Sequence, residues 1–448
     1  MLNLQDITID FSCQQFRCNS FEIDPEKSET TLRLESEKKT SDVICPCCGK
    51  HVHVYDNNQM RLRSMPIEVG TILNVEVKYH RYRCAGCGKT FSEEICFKYP
   101  RTRITTRAAK WVQELLRWHL PISSVHEITG IHWETIRNIH RQYMEEMLDG
   151  RKKELQGTAY KPQYLAVDEF AIHKGHRYAT CVMDLANGDV LWVGQGRSKE
   201  CFERFFTDID LKYLSEVKAI AMDMNASYNM LVEKYLPTVE IVYDRYHMQA
   251  QFGKDVLGAV RLAEARSHQA TAKMIEEELP GEKDIRKRRI LRSQAREERS
   301  KYAKLKGSRW TLLTNSDNLS AGNAAALNSI LEEHSDLALC YAMKEEMCNL
   351  FDLTDPDEAR ERWKAWFDGA KASSIPALAR FAELKEKRLD GLVAHAKHNI
   401  TTGKLEGFNN KIKVAKRIGY GYRDEDYFFT LIRYMAIPSV RGKSPRFP

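Results

Sequence analysis

The stretch YLAVDEFAIHKGHRYATCVMDLANGDVLWVG (residues 164–194) decides the fold. It holds three apolar or alternating runs of strand length, Tyr164–Asp168, Tyr178–Met183 and Val190–Gly194. Asn187-Gly188 separates the second run from the third. An Asn-Gly pair between two such runs is a strong hairpin signal, because both turn residues tolerate φ > 0. Downstream, Ser198–Phe206 has helical periodicity, and Val217–Asp223 reads as a buried strand. A helix over about 226–236 stops at Pro237, and Val239–Asp244 reads as a fifth strand. Three strands joined by short turns, then helix alternating with strand, predict an α/β unit with a mixed sheet.

Beyond it, about 248–398 changes character. Long helical patterns rich in Ala, Glu, Lys and Arg replace the strands, and Gly403–Lys416 opens a further helix. Toward the N-terminus lie three helical patterns, Thr106–Trp118, Ile122–Thr129 and His132–Met144, with Gly130 where a tight interhelical turn needs φ > 0. This spacing predicts a helix-turn-helix, although an ordinary three-helix packing element has the same pattern. Its third helix offers Trp133, Thr135, Arg137, Asn138 and Arg141, types that reach bases or phosphates. Before it come a basic linker, PRTRITT (100–106), a cysteine-bearing segment over about 41–98, and a polar, weakly patterned stretch over residues 1–40.

In the cysteine segment, Cys45-Pro-Cys47-Cys48-Gly49 is followed by Cys84-Ala-Gly-Cys87-Gly88. Two C-x-x-C knuckles, each followed by Gly, suit four-thiolate Zn2+ held by Cys45, Cys48, Cys84 and Cys87. Four thiolates leave no open position, so the zinc is structural. The alternation Asn74–Tyr79 predicts a hairpin between the knuckles. Cys47 sits between ligands as a spectator, and Cys13, Cys18 and Cys96 show no partner pattern.

Charge is unevenly spread over the 448 residues, whose net charge is +7. Lys78–Arg117 carries ten basic and three acidic residues, and Glu282–Lys306 eleven and four. Two basic blocks on a mildly acidic body are the footprint of polyanion-binding surfaces, though solvated helix faces look similar. No apolar run is long enough for a membrane helix, and Met1–Phe21 lacks the order of a secretory signal. A cytosolic protein is expected.

Asp168 and Asp223 each end an apolar run, and Glu406 lies in the first turn of the late helix. Adjacent strand ends plus one helix can converge acidic oxygens around two divalent ions, although a lone strand-end Asp is more often a turn cap. Asp244 is a rival second acid, with His247 three residues on.

The residues resemble the ISL-three family of bacterial insertion-sequence transposases. The likeness lies in CysProCysCysGly (45–49), residues 81–91, AlaValAspGluPheAlaIleHisLysGly (166–175), AlaMetAspMetAsnAlaSerTyr (221–228), ValTyrAspArgTyrHis (242–247) and residues 405–422. Cys47 inside the first knuckle departs from the pattern. The resemblance implies a zinc ribbon (41–98), a helix-turn-helix (99–155) and a ribonuclease-H-like core (160–250 and 399–448) interrupted by a helical insertion (251–398), after an N-terminal segment (1–40). It further implies Asp168, Asp223 and Glu406 as catalytic acids on Mg2+ or Mn2+, with Asp244 and His247 accessory. The expected substrate is double-stranded DNA, transposon ends and target, handled by a homodimer or larger assembly. Two rivals are a DNA-binding regulator with an inactive core and a ribonuclease-H-like nuclease without strand transfer. Trp310, Trp363 and Trp366 are expected in the insertion's core, or else stacked on a flipped base.

Overall fold

The computed structural model describes residues 15–66, 70–173 and 177–441; Cys13 lies outside them. The chain divides into two compact units. Of the described residues, one comprises those from 15 to 154 with 411–435 and 439–441; the other comprises those from 155 to 410 with 436–438.

The first unit opens with a sheet of β1 (Phe16–Asp24), β2 (Glu29–Ser36), β3 (Val52–Ser64), β4 (Ile72–Cys84) and β5 (Thr90–Ser92). Its order is β1-β2-β4-β3, with β5 also pairing β4. Alternation turns Leu32, Leu34, Leu62, Leu73, Val75 and Val77 onto one apolar face. The expected hairpin is β3–β4, antiparallel from Val52↔Cys84 to Ser64↔Leu73. The N-terminal stretch, expected to be weakly patterned, instead supplies two strands of this sheet. The local signal is faint because β2 buries only Leu32 and Leu34 and β1 buries nothing. What fixes β2 is its parallel pairing with β4, a contact between distant segments.

Three helices follow, α1 (Thr106–Arg117), α2 (Ile122–Thr129) and α3 (Trp133–Gly157). Thr105 caps α1, its hydroxyl oxygen accepting from the Ala108 amide at 3.2 Å. Gly130, at φ +63°, closes α2. Ala108, Val112, Leu116, Val125, Ile136 and Ile139 form the shared core. Helix α16 (Glu425–Ala436) belongs to this unit through residue 435. The buried His140 ring meets the Tyr427 hydroxyl at 2.6 Å, and burial pushes its pKa down to about 4, so it is neutral at pH 7. Residues 399–448 were expected together in the core; 399–410 lie in the second unit and 411–435 in the first.

The second unit is built on β6 (Tyr164–His173), β7 (Arg177–Asp184), β8 (Val190–Gln195), β9 (Ala219–Met222) and β10 (Glu240–Tyr243), in the order β10-β9-β6-β7-β8. Strands β6, β7 and β8 pair antiparallel, whereas β9 runs parallel to both β6 and β10. One face is covered by α4 (Lys199–Asp208) and α5 (Ala226–Tyr235), which bury Phe202, Phe205, Phe206, Tyr228 and Leu231 against Leu165, Val167 and Val182. Truncating a buried Phe of this kind to Ala costs about 3–5 kcal/mol.

Residues 245–398 are helical as expected: α6 (Arg245–Phe252), α7 (Gly258–Glu278), α8 (Ile285–Gly307), α9 (Arg309–Leu313), α10 (Ala321–Glu333), α11 (Ser335–Leu350), α12 (Pro356–Ala372), α13 (Pro376–Glu386) and α14 (Leu389–His398). Their core includes Phe252, Met347, Trp363, Trp366 and Phe367. Two of the three tryptophans are therefore packing residues, while Trp310 is 72% exposed. The helices return to the sheet through α14, where Ala394 meets Ala219 and Val242. A Cβ on Gly391 would come within 2.3 Å of the Tyr243 ring.

Candidate active site and metal centre

The parallel strands place the acids by register. Strand β6 pairs β9 from Tyr164↔Ala219 to Ala166↔Ala221, and β9 pairs β10 from Ala219↔Glu240 to Met222↔Tyr243. Carrying both offsets forward sets Asp168, Asp223 and Asp244 in one row across three neighbouring strands. Asp223 and Asp244 directly follow β9 and β10. Asp168, expected at a strand end, lies within β6, because pairing with β7 continues to His173↔Arg177.

The half-buried Asp168 carboxylate accepts the Glu169 amide and the Asn409 side-chain amide, both at 2.8 Å. Burial lifts its pKa above the ordinary value, with the charge of Asp244 adding to the rise and His247 opposing it. Glu169 is raised too, first by burial and then by Asp168 and Asp223, against hydrogen bonding from Tyr228 and the charge of Arg197. Asp223 is exposed, one oxygen accepting the Met224 amide at 2.6 Å. Near it stands the buried Lys385, whose ammonium donates to Gln251 Oε1 at 2.5 Å. Burial lowers the Lys385 pKa, and Asp223 opposes that.

Asp244 is 3% exposed and both its oxygens accept hydrogen bonds. Oδ1 accepts the amides of Tyr246 and His247, at 2.8 and 3.2 Å. Oδ2 accepts the amide and hydroxyl of Thr402, at 3.0 and 2.7 Å. Burial works against ionisation, but the hydrogen bonds from Thr402 and His247 outweigh it and hold the pKa below the usual carboxylate value. Asp244 thus caps α6 and at the same time clips the chain where α15 (Gly403–Ile418) begins.

Glu406 is half-buried in the first turn of α15, its amide donating to Thr402 O at 2.8 Å. Lys404 ties that turn to the β7–β8 loop by donating to the carbonyls of Leu185 and Ala186. Asn409 stands three residues beyond Glu406 and therefore on the same helix face. Its bond to Asp168 turns that face toward β6. Sequence reasoning missed Asn409, Glu169, Thr402 and Lys385. Asn409 sits inside the 405–422 stretch and Glu169 adjoins Asp168, whereas nothing local marks Thr402 or Lys385.

Among the described residues, two sets of ligand atoms are gathered within 4.8 Å: Cys45, Cys48, Cys84 and Cys87, and separately Glu264, His268 and His334. The three carboxylates Asp168, Asp223 and Glu406 are not such a set. A pair of ions about 4 Å apart calls for acids spread more widely than one ion does. The thiolate set has the form of a single-ion site. Cys45 and Cys87 sulfurs are 3.7 Å apart, Cys48 and Cys84 3.4 Å. Amides of Cys47, Gly86 and Cys87 donate to sulfur, and Gly49 and Gly88 take the left-handed conformation that turns each knuckle. Cys47 stands outside, its sulfur met by Lys89 Nζ.

On α3, Trp133 is 50% exposed and Asn138 is exposed at the rim of a cavity. That cavity, of about 610 Å³, is lined by Thr135 and Asn138 together with Tyr99–Thr102. Arg137 and Arg141 turn elsewhere. Both pair with Asp424 and lie over the Tyr427 ring, because they share a helical stripe with His140, which packs on α16.

No helix among the described residues is long and apolar enough to cross a membrane. A family model described as a transposase, of the DDE type and the ISL-three group, matches residues 165–432. A transposase for insertion sequence element IS1001 from Bordetella parapertussis is 32% identical over 411 residues, covering 91% of this chain and 92% of that protein. A transposase for element IS1557 from Mycobacterium tuberculosis is 23% identical over 410 residues, covering 90% and 87%. The matched region runs from β6 through helices α6–α14 to α16 and so contains the row of aspartates and the helix of Glu406; the chain belongs to the ISL-three family of insertion-sequence transposases.

Proposed function

We propose that this transposase cleaves DNA at the ends of its element and joins the freed 3′-hydroxyls to target DNA, with Asp168, Asp223 and Glu406 holding two Mg2+ or Mn2+ ions on a ribonuclease-H-like core. The observation that carries this reading is the Asn409–Asp168 hydrogen bond, which brings the face of α15 that bears Glu406 to the aspartate row. The sheet order, three antiparallel strands followed by two parallel ones, supports the core assignment.

The donor set fits hard cations. All three acids offer oxygen only, and burial raises the pKa of Asp168 and Glu169, a cost that a bound cation would offset. Bound there, the ions would supply Lewis acidity to the attacking and leaving oxygens. The protein's own share is positioning. Asn409 orients Asp168, Asp244 fixes the start of α15 through Thr402, and Lys385 places a cation near Asp223. With its oxygens occupied, Asp244 serves as a clip, leaving Asp223 as second ligand. Cys45, Cys48, Cys84 and Cys87 would hold a structural zinc. Double-stranded DNA is the substrate and the cytosol the compartment. Because one chain offers one such site and an element has two ends, the active complex contains at least two chains.

A labelled element-end duplex, a target plasmid and magnesium test the reading. Wild-type protein should yield end-cleaved and plasmid-joined products. Cleavage without joining would indicate a nuclease, and binding without cleavage a regulator.

A further inference from the structure

We propose a second zinc-class metal site in the helical insertion, formed by Glu264 and His268 on α7 and His334 at the junction of α10 and α11. The ligand atoms of these three side chains lie within 4.8 Å of one another. Glu264 and His268 are four residues apart on one helix and so share a face. His334, 8% exposed, brings its Nδ1 to 3.4 Å from Glu264 Oε2. The His268 and His334 rings meet edge to face, centroids 5.3 Å apart. A separate observation points to a ligand: His268 Nδ1 is 2.6 Å from Glu298 Oε2 on α8. A ligating histidine commonly donates its other ring N–H to a carboxylate, which fixes the tautomer and leaves the far nitrogen's lone pair for the metal. Glu298 thus orients His268 and is not itself a ligand.

Two imidazoles and a carboxylate suit zinc, cobalt or nickel rather than magnesium, which prefers oxygen alone. The site ties α7 to the α10–α11 junction and, through Glu298, to α8, the helix that carries eleven basic residues with its flanks. Metal would rigidify that basic hairpin. The same groups make two close contacts, His334 Nδ1 with Glu264 Oε2 and His268 Nδ1 with Glu298 Oε2.

Full-length protein dialysed against Zn2+ in excess Mg2+ should retain two zinc ions per chain. His268→Gln and His334→Gln should each retain one. Cys84→Ser should keep the second ion, and its cobalt form should show ligand-field bands without thiolate charge transfer. Glu298→Gln, which leaves all three ligands in place, should weaken the second ion by roughly 10–100-fold. In wild-type protein, zinc beyond the first equivalent should slow amide exchange in 258–278 and 285–307. One zinc per chain in wild type, or a second ion that survives His268→Gln and His334→Gln alike, would overturn the site.

Discussion

Asp168 and Asp244 stand at the two ends of one row and have opposite habits. Asp168 is half-buried with two hydrogen-bond donors and a raised pKa, whereas Asp244 is buried with four and a lowered one. A carboxyl whose folded pKa is raised costs stability once ionised, and the cost vanishes as pH falls through that pKa. Asp168→Asn should therefore raise the Tm of protein without added magnesium at neutral pH, flatten its dependence on acidification and abolish cleavage. Thermal melts across acid to neutral pH would check this. Asp244 has the reverse sign: its contribution is present above the unfolded pKa and is lost as pH falls through the lower folded value. Asp244→Asn should cost about 1–3 kcal/mol through weakened acceptors. It should reduce cleavage less than Asp223→Asn when both proteins are assayed well below their Tm.

Element by element, the three-helix segment α1–α3 separates packing from reach. Arg137 and Arg141, expected to contact DNA, are held by Asp424 and Tyr427. Their loss should lower stability more than it alters sequence discrimination. Asn138→Ala, at the cavity rim, should weaken binding to the element's ends by about 1–3 kcal/mol if it makes a bidentate base contact. Equilibrium binding to matched and mismatched duplexes distinguishes the two. Gly130→Ala meets both φ +63° and Arg63 Nη2 at 2.6 Å, so the unit should lose about 1–2 kcal/mol, read by denaturant melts. The strands of the second unit were legible in sequence because their apolar runs are continuous and bounded by turn residues. Strands β1 and β2 were not, since β2 is held by pairing with β4 and β1 by pairing with β2 rather than by local pattern. Asp168 looked like a strand end because polar Glu169 follows it. In the fold, Glu169 is accommodated by Tyr228 and Arg197. The carboxylates and cysteines could be named from sequence, whereas the Asn409, Thr402 and Lys385 contacts join segments more than a hundred residues apart and leave no local trace.

For the whole molecule, the basic blocks expected to meet a polyanion fall on different elements. The second is helix α8, where Arg286, Arg289 and Arg296 are exposed. Replacing all three with Gln should make the salt dependence of DNA binding shallower, by about 0.9 in log–log slope for each phosphate no longer neutralised. An unchanged slope would remove α8 from the DNA path. The proposed assignment of the catalytic ions to Asp168, Asp223 and Glu406 rather than Asp244 is tested most directly by a thiolate substitution. Sulfur is a poor ligand for magnesium and a better one for softer manganese. Asp223→Cys should be inactive in end cleavage with Mg2+ and regain activity with Mn2+, while Asp244→Cys should show no such metal-specific rescue. Rescue of Asp244→Cys by Mn2+, with Asp223→Cys cleaving normally in Mg2+, would contradict the assignment.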